Sequence, residues 1–433
     1  MTNAALYIYL APMLIIWGLY IGWRNTRQRK AACLRDEAFE AGLTQPASLH
    51  PVIDTRQCIG CRSCVSACPE KNVLGMIRDK VELISPTNCI GHGACKTACP
   101  MNAITLVFGT SERGVDIPLV APNFETNVPG IFIAGELGGM GLIRNAIEQG
   151  RQAMECIFKR NRNSQGPELD VLIVGAGPAG LSATLSAIES KLKYVTVEQD
   201  SMGGTVSHFP RGKIVMTAPV NLPLVGMVKF KEVSKETLLE FWEKVIRKTG
   251  AQIRFGERVE SITPADIGID VRTTHKTYRA KSVLLTIGRR GTPRKLGVPG
   301  EDSGKVVYRL IDPEQYRNSK VLVVGGGDSA LEAAASIAEV PGTSVTLSYR
   351  SSAFSRAKQK NRQRISDMQQ SGTMTVLMKS NVREIHNGKV EIEQDEALIE
   401  LENDAILVCA GGILPTPFLK EIGIQVDTKY GTQ

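Results

Sequence analysis

Clustered cysteines constrain this chain of 433 residues more than any other feature of its sequence. A first run, CIGCRSCVSACP, follows the spacing CxxCxxCxxxCP, and a second run, CIGHGACKTACP, repeats it with a histidine at the second position. Thiolates at this spacing hold [4Fe–4S] clusters, with the fourth cysteine of a run serving the neighbouring cluster. Zinc or disulfides fit less well, because zinc motifs usually pair two CxxC knuckles without this trailing CP. The residues in register are Cys58, Cys61, Cys64, Cys68, Cys89, His92, Cys95 and Cys99.

Residues 50–110 resemble a bacterial-type two-cluster ferredoxin, an α+β fold. The resemblance implies crossed ligation, with one [4Fe–4S] cluster on Cys58, Cys61, Cys64 and Cys99 and the other on Cys68, Cys89 and Cys95. His92 leaves two interpretations of the second cluster. Either its imidazole is the fourth ligand, which tends to raise the reduction potential, or the cluster is [3Fe–4S] and His92 is a bystander.

An uncharged run of 20 residues, at positions 4–23, precedes this domain. At 1.5 Å per residue it matches a hydrocarbon core of about 30 Å, which predicts one membrane span. A cleaved signal peptide would carry its basic residues before the apolar stretch, whereas here they follow it at positions 24–30. The positive-inside rule then predicts a single-pass protein of the cell membrane, with the amino terminus outside and the catalytic domains in the cytoplasm. A buried helix of a soluble domain is the alternative.

Two glycine-rich turns, each between an apolar strand and a helix, predict two nucleotide-binding units. They lie in DVLIVGAGPAGLSATLSAI and in SKVLVVGGGDSALEAAASIAEV. Glycines there allow a tight turn and close backbone approach, so that a pyrophosphate sits on the helix amino terminus. After the first unit, the strand KYVTVEQD ends at Glu198, where a carboxylate takes ribose hydroxyls. The glycines are Gly175, Gly177 and Gly180 in the first unit and Gly325 and Gly327 in the second.

Residues 282–302 and 404–417 resemble the crossover segments of the thioredoxin-reductase-like flavoproteins, in which a nicotinamide domain is inserted into an FAD domain. The resemblance implies an α/β chain with two Rossmann-like domains. The first turn would hold FAD, with Gly203, Gly204 and Thr205 near the flavin. The second turn, with Asp328 and Ser329, would hold NADP or NAD. Arg350 and Arg356 follow the second strand of that unit and favour NADPH, since arginines there meet its 2′-phosphate, unless both are surface charges.

Residues 126–160, TNVPGIFIAGELGGMGLIRNAIEQGRQAMECIFKR, resemble the strand and helix that normally end the family's FAD domain. Here they precede the first glycine-rich turn, so the flavoprotein resembles a circularly permuted member, and Gln433 is expected close to residues 115–125. The resemblance implies that Gly135 and Glu136 meet the ribityl-phosphate region of FAD. The helix that begins near Leu142 and Ile143 would point its amino terminus at the flavin, where its dipole favours the anionic reduced form. The alternative is an ordinary strand and helix with another role.

The predicted organisation has seven parts. They are a transmembrane anchor (1–24), a tether (25–49), the two-cluster ferredoxin domain (50–110), the permuted terminal segment of the FAD domain (115–160), the FAD domain (169–294), the NAD(P)-binding domain (295–403) and a return to the FAD domain (404–433).

Thioredoxin reductases carry a CxxC dithiol just before the nicotinamide turn, but residues 304–327 contain no cysteine, and Tyr308–Pro313 stand in its place. The resemblance therefore narrows to dithiol-free members such as ferredoxin–NADP reductases. In these a hydride passes between nicotinamide and flavin N5 and single electrons pass to an iron–sulfur partner, with no catalytic acid or base.

We predict an electron-transfer subunit of a membrane complex, working with a cytochrome or a quinone-reactive subunit. A span without histidine or ionisable residues favours this over a self-contained NAD(P)H:ferredoxin-type reductase. A reductase of low-molecular-weight disulfides is the weaker alternative. The net charge of +8 is modest and spread along the chain, so no nucleic-acid partner is predicted.

Overall fold

The computed structural model describes residues 2–40, 44, 46, 49–70, 72–89, 91, 93–112, 114–139, 141–162, 166–167, 169–209, 211–216, 219–230, 232–289, 291–355 and 357–431. Three residues with predicted roles, His92, Arg356 and Gln433, lie outside this description. The chain divides into two compact units. Unit 1 comprises Met1–Val115, Ala353–Lys360 and Lys429–Gln433, and unit 2 comprises Asp116–Ser352 and Asn361–Thr428.

Unit 1 combines one long helix with short strands and helices. Its elements are α1 (Thr2–Glu40), β1 (His50–Ile53), α2 (Ser63–Ala67), β2 (Leu74–Ile77), β3 (Lys80–Leu83), a 3₁₀ turn (Pro86–Asn88), α3 (Ala94–Thr97) and β4 (Ile104–Val107), and β5 (Val115–Pro118) begins at its boundary. β1 pairs with β4 and β2 with β3, both antiparallel. The core between the pairs gathers buried cysteines with Val73, Val81 and Ile104.

α1 continues through the segment predicted to be a tether. Its carboxyl half packs on β2 so closely that a Cβ on Gly75 would lie 2.9 Å from the Cβ of Ala31. Arg35 also pairs with Glu82 of β3 at 2.9 Å. Residues 25–40 are therefore a docked helix, because small side chains on one face let it approach the hairpin.

The sequence predicts a membrane span at residues 4–23, which form the first part of α1. Among the residues that the structure describes, no helix has both the length and the apolar character that crossing a bilayer requires.

The first part of unit 2 is a seven-stranded sheet with helices on its faces. Its elements are β6 (Ile131–Ile133), a 3₁₀ turn (Glu136–Gly138), α4 (Ile143–Asn161), β7 (Leu169–Val174), α5 (Pro178–Glu189), β8 (Tyr194–Glu198), a 3₁₀ turn (Gly204–His208), β9 (Ile214–Met216), β10 (Val220–Leu222), β11 (Gly226–Val228), β12 (Glu232–Ser234), α6 (Lys235–Thr249), β13 (Ile253–Phe255), β14 (Val259–Pro264), β15 (Ile269–Thr273) and β16 (Thr277–Leu285). Two small antiparallel pairs, β9 with β12 and β10 with β11, lie outside the sheet.

Five strands of this sheet are parallel, in the order β13, β8, β7, β16 and β6. β15 pairs antiparallel with the first half of β16, and β14 pairs with β15. β6 therefore completes the parallel layer although it precedes every other strand of the sheet in the chain. Its three residues are at most 1% exposed, which places it in the core.

The second part of unit 2 is a five-stranded parallel sheet with an antiparallel three-stranded appendage. Its elements are β17 (Thr292–Pro293), β18 (Val306–Val307), a 3₁₀ turn (Pro313–Tyr316), β19 (Lys320–Val324), α7 (Asp328–Ala338), β20 (Ser344–Tyr349), α8 (Gln359–Gln370), β21 (Met374–Met378), β22 (Ser380–His386), β23 (Lys389–Gln394), β24 (Ala397–Glu402), β25 (Ala405–Val408), β26 (Gly412–Ile413), α9 (Thr416–Glu421) and β27 (Val426–Lys429). The sheet order is β18, β25, β19, β20 and β21.

The chain crosses between the two sheets twice, at β17 and at β26, and these two strands pair with each other. This agrees with the two crossovers expected from the sequence. The predicted boundary at residue 404 is wrong by one strand, because β25 pairs in parallel with β18 and β19 of the second sheet. The return to the first sheet therefore begins after Val408.

β5 and β27 form a two-stranded sheet. Within unit 2, Leu119 N donates to Gln425 O at 2.8 Å, and Thr428 Oγ1 donates to Asp116 Oδ1 at 2.7 Å. The described end of the chain thus runs beside residues 116–119.

Candidate functional site

The predicted cluster ligands surround two cavities in unit 1. The first is lined by Cys58, Cys61, Cys64 and Cys99 with apolar neighbours that include Ile53, Val81 and Met101. The second is lined by Cys68, Cys89 and Cys95 with neighbours that include Glu70, Val73 and Leu106. Each cavity takes cysteines from both runs. Thiols gathered around an apolar space fit an iron–sulfur cluster.

The thiols differ in their ionisation. Burial raises the pKa of Cys64 and of Cys89 to about 11, whereas a hydrogen bond with Ser63 lowers the pKa of the exposed Cys61. A thiol must lose its proton to bind iron, so cluster assembly in these cavities releases protons.

Glycines shape the loops that carry these cysteines. Gly60 has φ +71°, and a Cβ there would lie 2.3 Å from Asp79 O. Gly93, with φ +78°, stands at the start of α3, which presents Cys95. Both positions need the left-handed backbone that glycine adopts without strain.

In unit 2, a glycine cradle forms where β7 turns into α5. A Cβ on Gly180 would lie 1.9 Å from Gly175 O, and Gly175 itself has φ +107°. Gly177 begins α5, and a Cβ on Gly204 would come within 3.0 Å of its Cα. The predicted glycines therefore lie together, with backbone N–H groups at a helix amino terminus that suit a pyrophosphate.

Glu198 stands at the end of β8, as predicted, and only 8% of it is exposed. Its Oε2 accepts from Ala176 N at 2.7 Å and its Oε1 accepts from Asp200 N at 3.0 Å. Each carboxylate oxygen can accept a second hydrogen bond, so the oriented group retains capacity for ribose hydroxyls.

The segment of residues 126–160 converges on the same cradle. A Cβ on Gly135, which has φ +85°, would lie 2.9 Å from the Cβ of Ala179 in α5. A Cβ on Gly288 would lie 3.8 Å from Glu136 Oε2 and 3.9 Å from Thr205 Oγ1. Gly135, Glu136, Gly203, Gly204 and Thr205, which are far apart in the chain, are thus brought together.

Glu136 has an electrostatic partner that the sequence did not reveal. Burial raises the pKa of the Glu136 carboxyl, and the Arg289 guanidinium acts against that rise. Burial likewise lowers the pKa of Arg289. Each of these two half-buried groups therefore favours the charged form of the other.

α4 begins at Ile143, with the apolar Leu142 at its N-cap position. Ile143 packs against the buried cluster around Leu181 and Trp242. Because Leu142 has no side chain that could cap the helix, the first N–H groups of α4 are available to an acceptor.

The second glycine-rich turn connects β19 to α7 in unit 2. Gly325 has φ +148°, and a Cβ there would lie 2.5 Å from Cys409 O. Asp328 begins α7 and accepts from Asn361 Nδ2 at 2.7 Å, while Ser329 beside it is exposed. Arg350 is exposed directly after β20, the strand next to β19.

Two ion pairs in unit 2 connect the domain built on the seven-stranded sheet with the domain built on the five-stranded sheet. Lys213 pairs with Glu332 of α7, and Arg211 pairs with Asp312 at 3.1 Å. Both pairs hold the domain with the second glycine-rich turn against the loop that follows Thr205.

Several residues of the two turns escaped the sequence analysis. Thr286 Oγ1 donates to Val174 O at 2.8 Å and closes the first turn, and Gln149 Oε1 accepts from Gly135 N at 2.8 Å. Tyr349 lies over the second turn, where a Cβ on Gly326 would collide with its ring. The sequence signal for Gln149 was its place in the segment of residues 126–160. Thr286 and Tyr349 had no such signal, because their roles depend on tertiary contacts alone.

Comparisons with known proteins agree with both parts of this architecture. Residues 172–432 match the family model described as pyridine nucleotide-disulphide oxidoreductase, and residues 50–100 match the 4Fe-4S dicluster domain. The chain is 29% identical over 273 residues to a ferredoxin–NADP reductase of Picrophilus torridus, covering 60% of this chain and 78% of that protein. It is 25% identical over 267 residues to bacilliredoxin reductase Bdr of Bacillus subtilis, covering 60% and 82%.

A solved bacillithiol disulfide reductase from Bacillus cereus shares the fold, with a TM-score of 0.54, 23% identity and coverage of 59% of this chain and 82% of that one. The matches support a flavin oxidoreductase that uses a pyridine nucleotide and carries an iron–sulfur domain. The chain belongs to the pyridine nucleotide-disulphide oxidoreductase family, and a 4Fe-4S dicluster domain precedes its family segment.

Proposed function

We propose that this protein moves electrons between NADPH and a membrane-associated electron carrier, through FAD and two iron–sulfur clusters, as a subunit of a membrane electron-transfer complex. The main support is the combination of two thiol-lined cavities with a flavin-type glycine cradle, in a chain without cysteine between residues 304 and 327. Such a chain has sulfur ligands for one-electron carriers but no dithiol at the position where thioredoxin reductases carry theirs.

Bound FAD supplies the exchange between a two-electron hydride donor and one-electron acceptors. The chain's own residues bind and orient it. Gly175, Gly177 and Gly180 let the pyrophosphate approach the amino end of α5, and Glu198 holds the adenosine ribose. Gly135 and Glu136 face the ribityl-phosphate region, and the amino end of α4 at Ile143 favours negative charge on the reduced ring system.

The nicotinamide cofactor is assigned to the turn at Gly325 and Gly327, with Asp328 and Ser329 at the start of α7. Arg350, exposed beside this turn, supports NADPH over NADH, because a guanidinium can pair with the 2′-phosphate. Arg356 is assigned the same role from the sequence. The similarity to a ferredoxin–NADP reductase, whose name specifies NADP, supports the same choice.

For the clusters, we assign Cys58, Cys61, Cys64 and Cys99 to one [4Fe–4S] centre and Cys68, Cys89 and Cys95 to the other. His92 is either the fourth ligand of the second centre or a bystander to a [3Fe–4S] cluster. Electron paramagnetic resonance of oxidised protein distinguishes these, because a [3Fe–4S] centre gives a signal in that state and a [4Fe–4S] centre of this type gives one on reduction. A His92→Cys variant with unchanged spectrum and potential would exclude His92 as a ligand.

We further propose that the flavoprotein is circularly permuted, with residues 115–160 as its displaced terminal segment. Three observations support this proposal. β6 completes the parallel layer beside β16, Gly135 lies against α5, and β5 pairs with β27 near the described end of the chain.

Membrane attachment through residues 4–23, with the amino terminus outside, completes the proposal. Its support is the apolar surface of α1, where large side chains between residues 13 and 19 are 56–69% exposed. Arginines and a lysine follow at positions 24–30 and suit the cytoplasmic side. Removal of residues 2–23 should transfer the protein from the membrane fraction to the supernatant, while full retention in the membrane would contradict the anchor.

Purified protein tests the proposed activity. NADPH should reduce a one-electron dye rapidly, with bleaching of the flavin, and no turnover should follow addition of a low-molecular-weight disulfide. Turnover with the disulfide would instead favour the alternative suggested by the bacilliredoxin reductase relative. Co-purification in mild detergent with haem-bearing partners would support a complex, whereas a fully active monomer would support a self-contained reductase.

A further inference from the structure

We propose that electrons enter or leave the protein at the cavity lined by Cys61, through a basic and apolar face that docks an acidic electron-carrier protein. We call this surface the Cys61 face and define it by Arg56, Ile59, Cys61, Arg62 and Met101. The inference rests on the proposed function, because it supposes that the clusters exchange single electrons with a protein carrier.

The two cluster cavities differ in how they meet solvent. Cys61 is exposed, and the large apolar side chains of Ile59 and Met101 beside it are 62% and 45% exposed. By contrast, every described residue that lines the second cavity is buried or half-buried. A carrier can therefore bring its redox group close to the first cavity without moving protein, and exposed apolar groups at that point give it a dry contact.

The charges around the Cys61 face are unequally neutralised. Of the acidic groups nearby, Asp79 pairs with Arg24, whereas Asp54 accepts from the uncharged donors Arg56 N and Gln57 Nε2 and so contributes one negative charge against the three arginines named next. Arg56, Arg62 and Arg27 have no carboxylate partner among the described residues. A positive rim around an apolar centre fits a partner with an acidic surface, which it attracts over a long range at low salt.

α1 extends this basic face. Trp23, at the end of the apolar stretch, is 48% exposed and contacts two guanidinium groups, with the Cζ of Arg27 at 4.1 Å and that of Arg62 at 5.4 Å from its ring centroid. This cation–π contact therefore holds the guanidinium of Arg62, the residue after Cys61, beside α1.

Cys58, Cys61, Cys64 and Cys99 would hold the cluster that exchanges electrons at this face. With a haem protein as the carrier, the cluster would lose one electron and the haem iron would change from ferric to ferrous. No bond would form or break, and no proton would be required.

Paired charge reversals test the Cys61 face on the full-length protein in detergent. Arg56→Glu reverses an exposed charge that lies two residues before Cys58 and has no carboxylate partner among the described residues. Lys96→Glu is its match on α3, the helix that carries Cys95 of the second cavity. The probes are two haem proteins of opposite charge, the acidic soluble domain of cytochrome b5 and the basic cytochrome c. Stopped-flow spectroscopy follows haem reduction after mixing with NADPH-reduced protein.

We expect Arg56→Glu to slow the second-order reaction with cytochrome b5 at least fivefold at low ionic strength, to accelerate that with cytochrome c, and to lose both effects at high salt. Lys96→Glu should change either rate by less than twofold. An equal or larger effect of Lys96→Glu, or no effect of Arg56→Glu, would overturn the proposal. So would loss of binding to anionic lipid vesicles in Arg56→Glu with unchanged carrier rates, which would make the face a lipid contact.

Two controls separate this inference from the proposed function. If NADPH fails to reduce a small dye such as ferricyanide in the unaltered protein, the proposed function itself fails. If the dye is reduced but the two variants behave alike with the haem proteins, only the docking site fails. Arg56→Gln, which removes one charge instead of reversing it, should give a smaller effect in the same direction, and cluster resonance spectra should be equal in all variants.

Discussion

Two glycines, one in each glycine-rich turn, differ in the space around their α-carbons. At Gly180 a Cβ would lie 1.9 Å from Gly175 O, whereas a Cβ on Gly327 would meet no atom of the described residues within 4 Å, and the backbone there is extended, with φ −97°. We expect Gly180→Ala to lower the flavin content of purified protein at least fivefold, because overpacking forces the turn open. Gly327→Ala should retain full flavin content. The ratio of flavin to protein absorbance measures both, and equal loss in both variants would contradict this account.

A buried phenol gives a prediction at alkaline pH. Burial, with the neighbouring Glu257 charge, raises the pKa of Tyr278 to about 12, and the side chain is 5% exposed. The unfolded chain loses this proton near pH 10, so the folded state is stabilised below pH 10 and loses that contribution as the pH rises to about 12. Two pKa units correspond to roughly 2.7 kcal/mol.

Tyr278→Phe should therefore unfold with a melting temperature that falls less steeply between pH 10 and pH 12 than that of the unaltered protein. Melting curves at pH 8, 10 and 11.5 test this. Parallel falls in the two proteins would show that Tyr278 contributes nothing to the alkaline transition.

Single residues also show how far sequence reasoning reaches. The glycines and Glu198 were predictable, because their motif places them at fixed distances between a strand and a helix. Arg289 was not, since its relation to Glu136 depends on two loops meeting in space. The resemblance to a two-cluster ferredoxin predicted that Cys99 belongs with the first cysteine run. It did not predict which apolar residues line the cavity around these cysteines.

Among the elements, α1 departs most from its expectation. A basic, polar stretch after residue 24 suggests a tether, but Ala31 and Ala38 are each 7% exposed and lie on one face of a helix docked to unit 1. Small buried residues in a polar context carry a weak pattern, so the docking could not be deduced from periodicity. The domain boundary predicted at residue 404 was wrong for a related reason, because the apolar sequence of β25 does not reveal which of the two sheets this strand joins.

Gly75→Val tests the docking of α1. A Cβ there would lie 2.8 Å from Ile84 Cδ1 and 2.9 Å from Ala31, so a branched side chain should push the helix away from β2. Limited proteolysis between residues 24 and 40 should accelerate at least fivefold. Arg35→Gln, which removes the part-exposed pair with Glu82 and the exposed pair with Asp36, should change the cleavage rate less than twofold, because such pairs contribute up to about 1 kcal/mol each. Equal rates in all three proteins would show that α1 is not held at Gly75.

For the whole molecule, the permutation predicts that chain order can be restored. A chain of residues 169–431 followed by a short linker and residues 115–160 should bind FAD, because β27 already lies beside β5 and the linker need only span neighbouring strands. Residues 169–431 alone should not, since they lack β6 and the Gly135 wall. Flavin content after purification decides the matter, and flavin bound equally by the shorter chain would refute the permutation.

The early position of β6 has a consequence for biosynthesis. Ile131, Phe132 and Ile133 leave the ribosome before their neighbour β16 has been translated, yet all three are at most 1% exposed in the finished fold. The two cysteine runs leave the ribosome earlier still, but unit 1 also includes Ala353–Lys360 and Lys429–Gln433, so neither unit is complete before the end of the chain has been made. The apolar strand β6 must therefore remain without its sheet partner until Thr277–Leu285 has been translated, and apolar strands exposed in this way are prone to aggregate during synthesis.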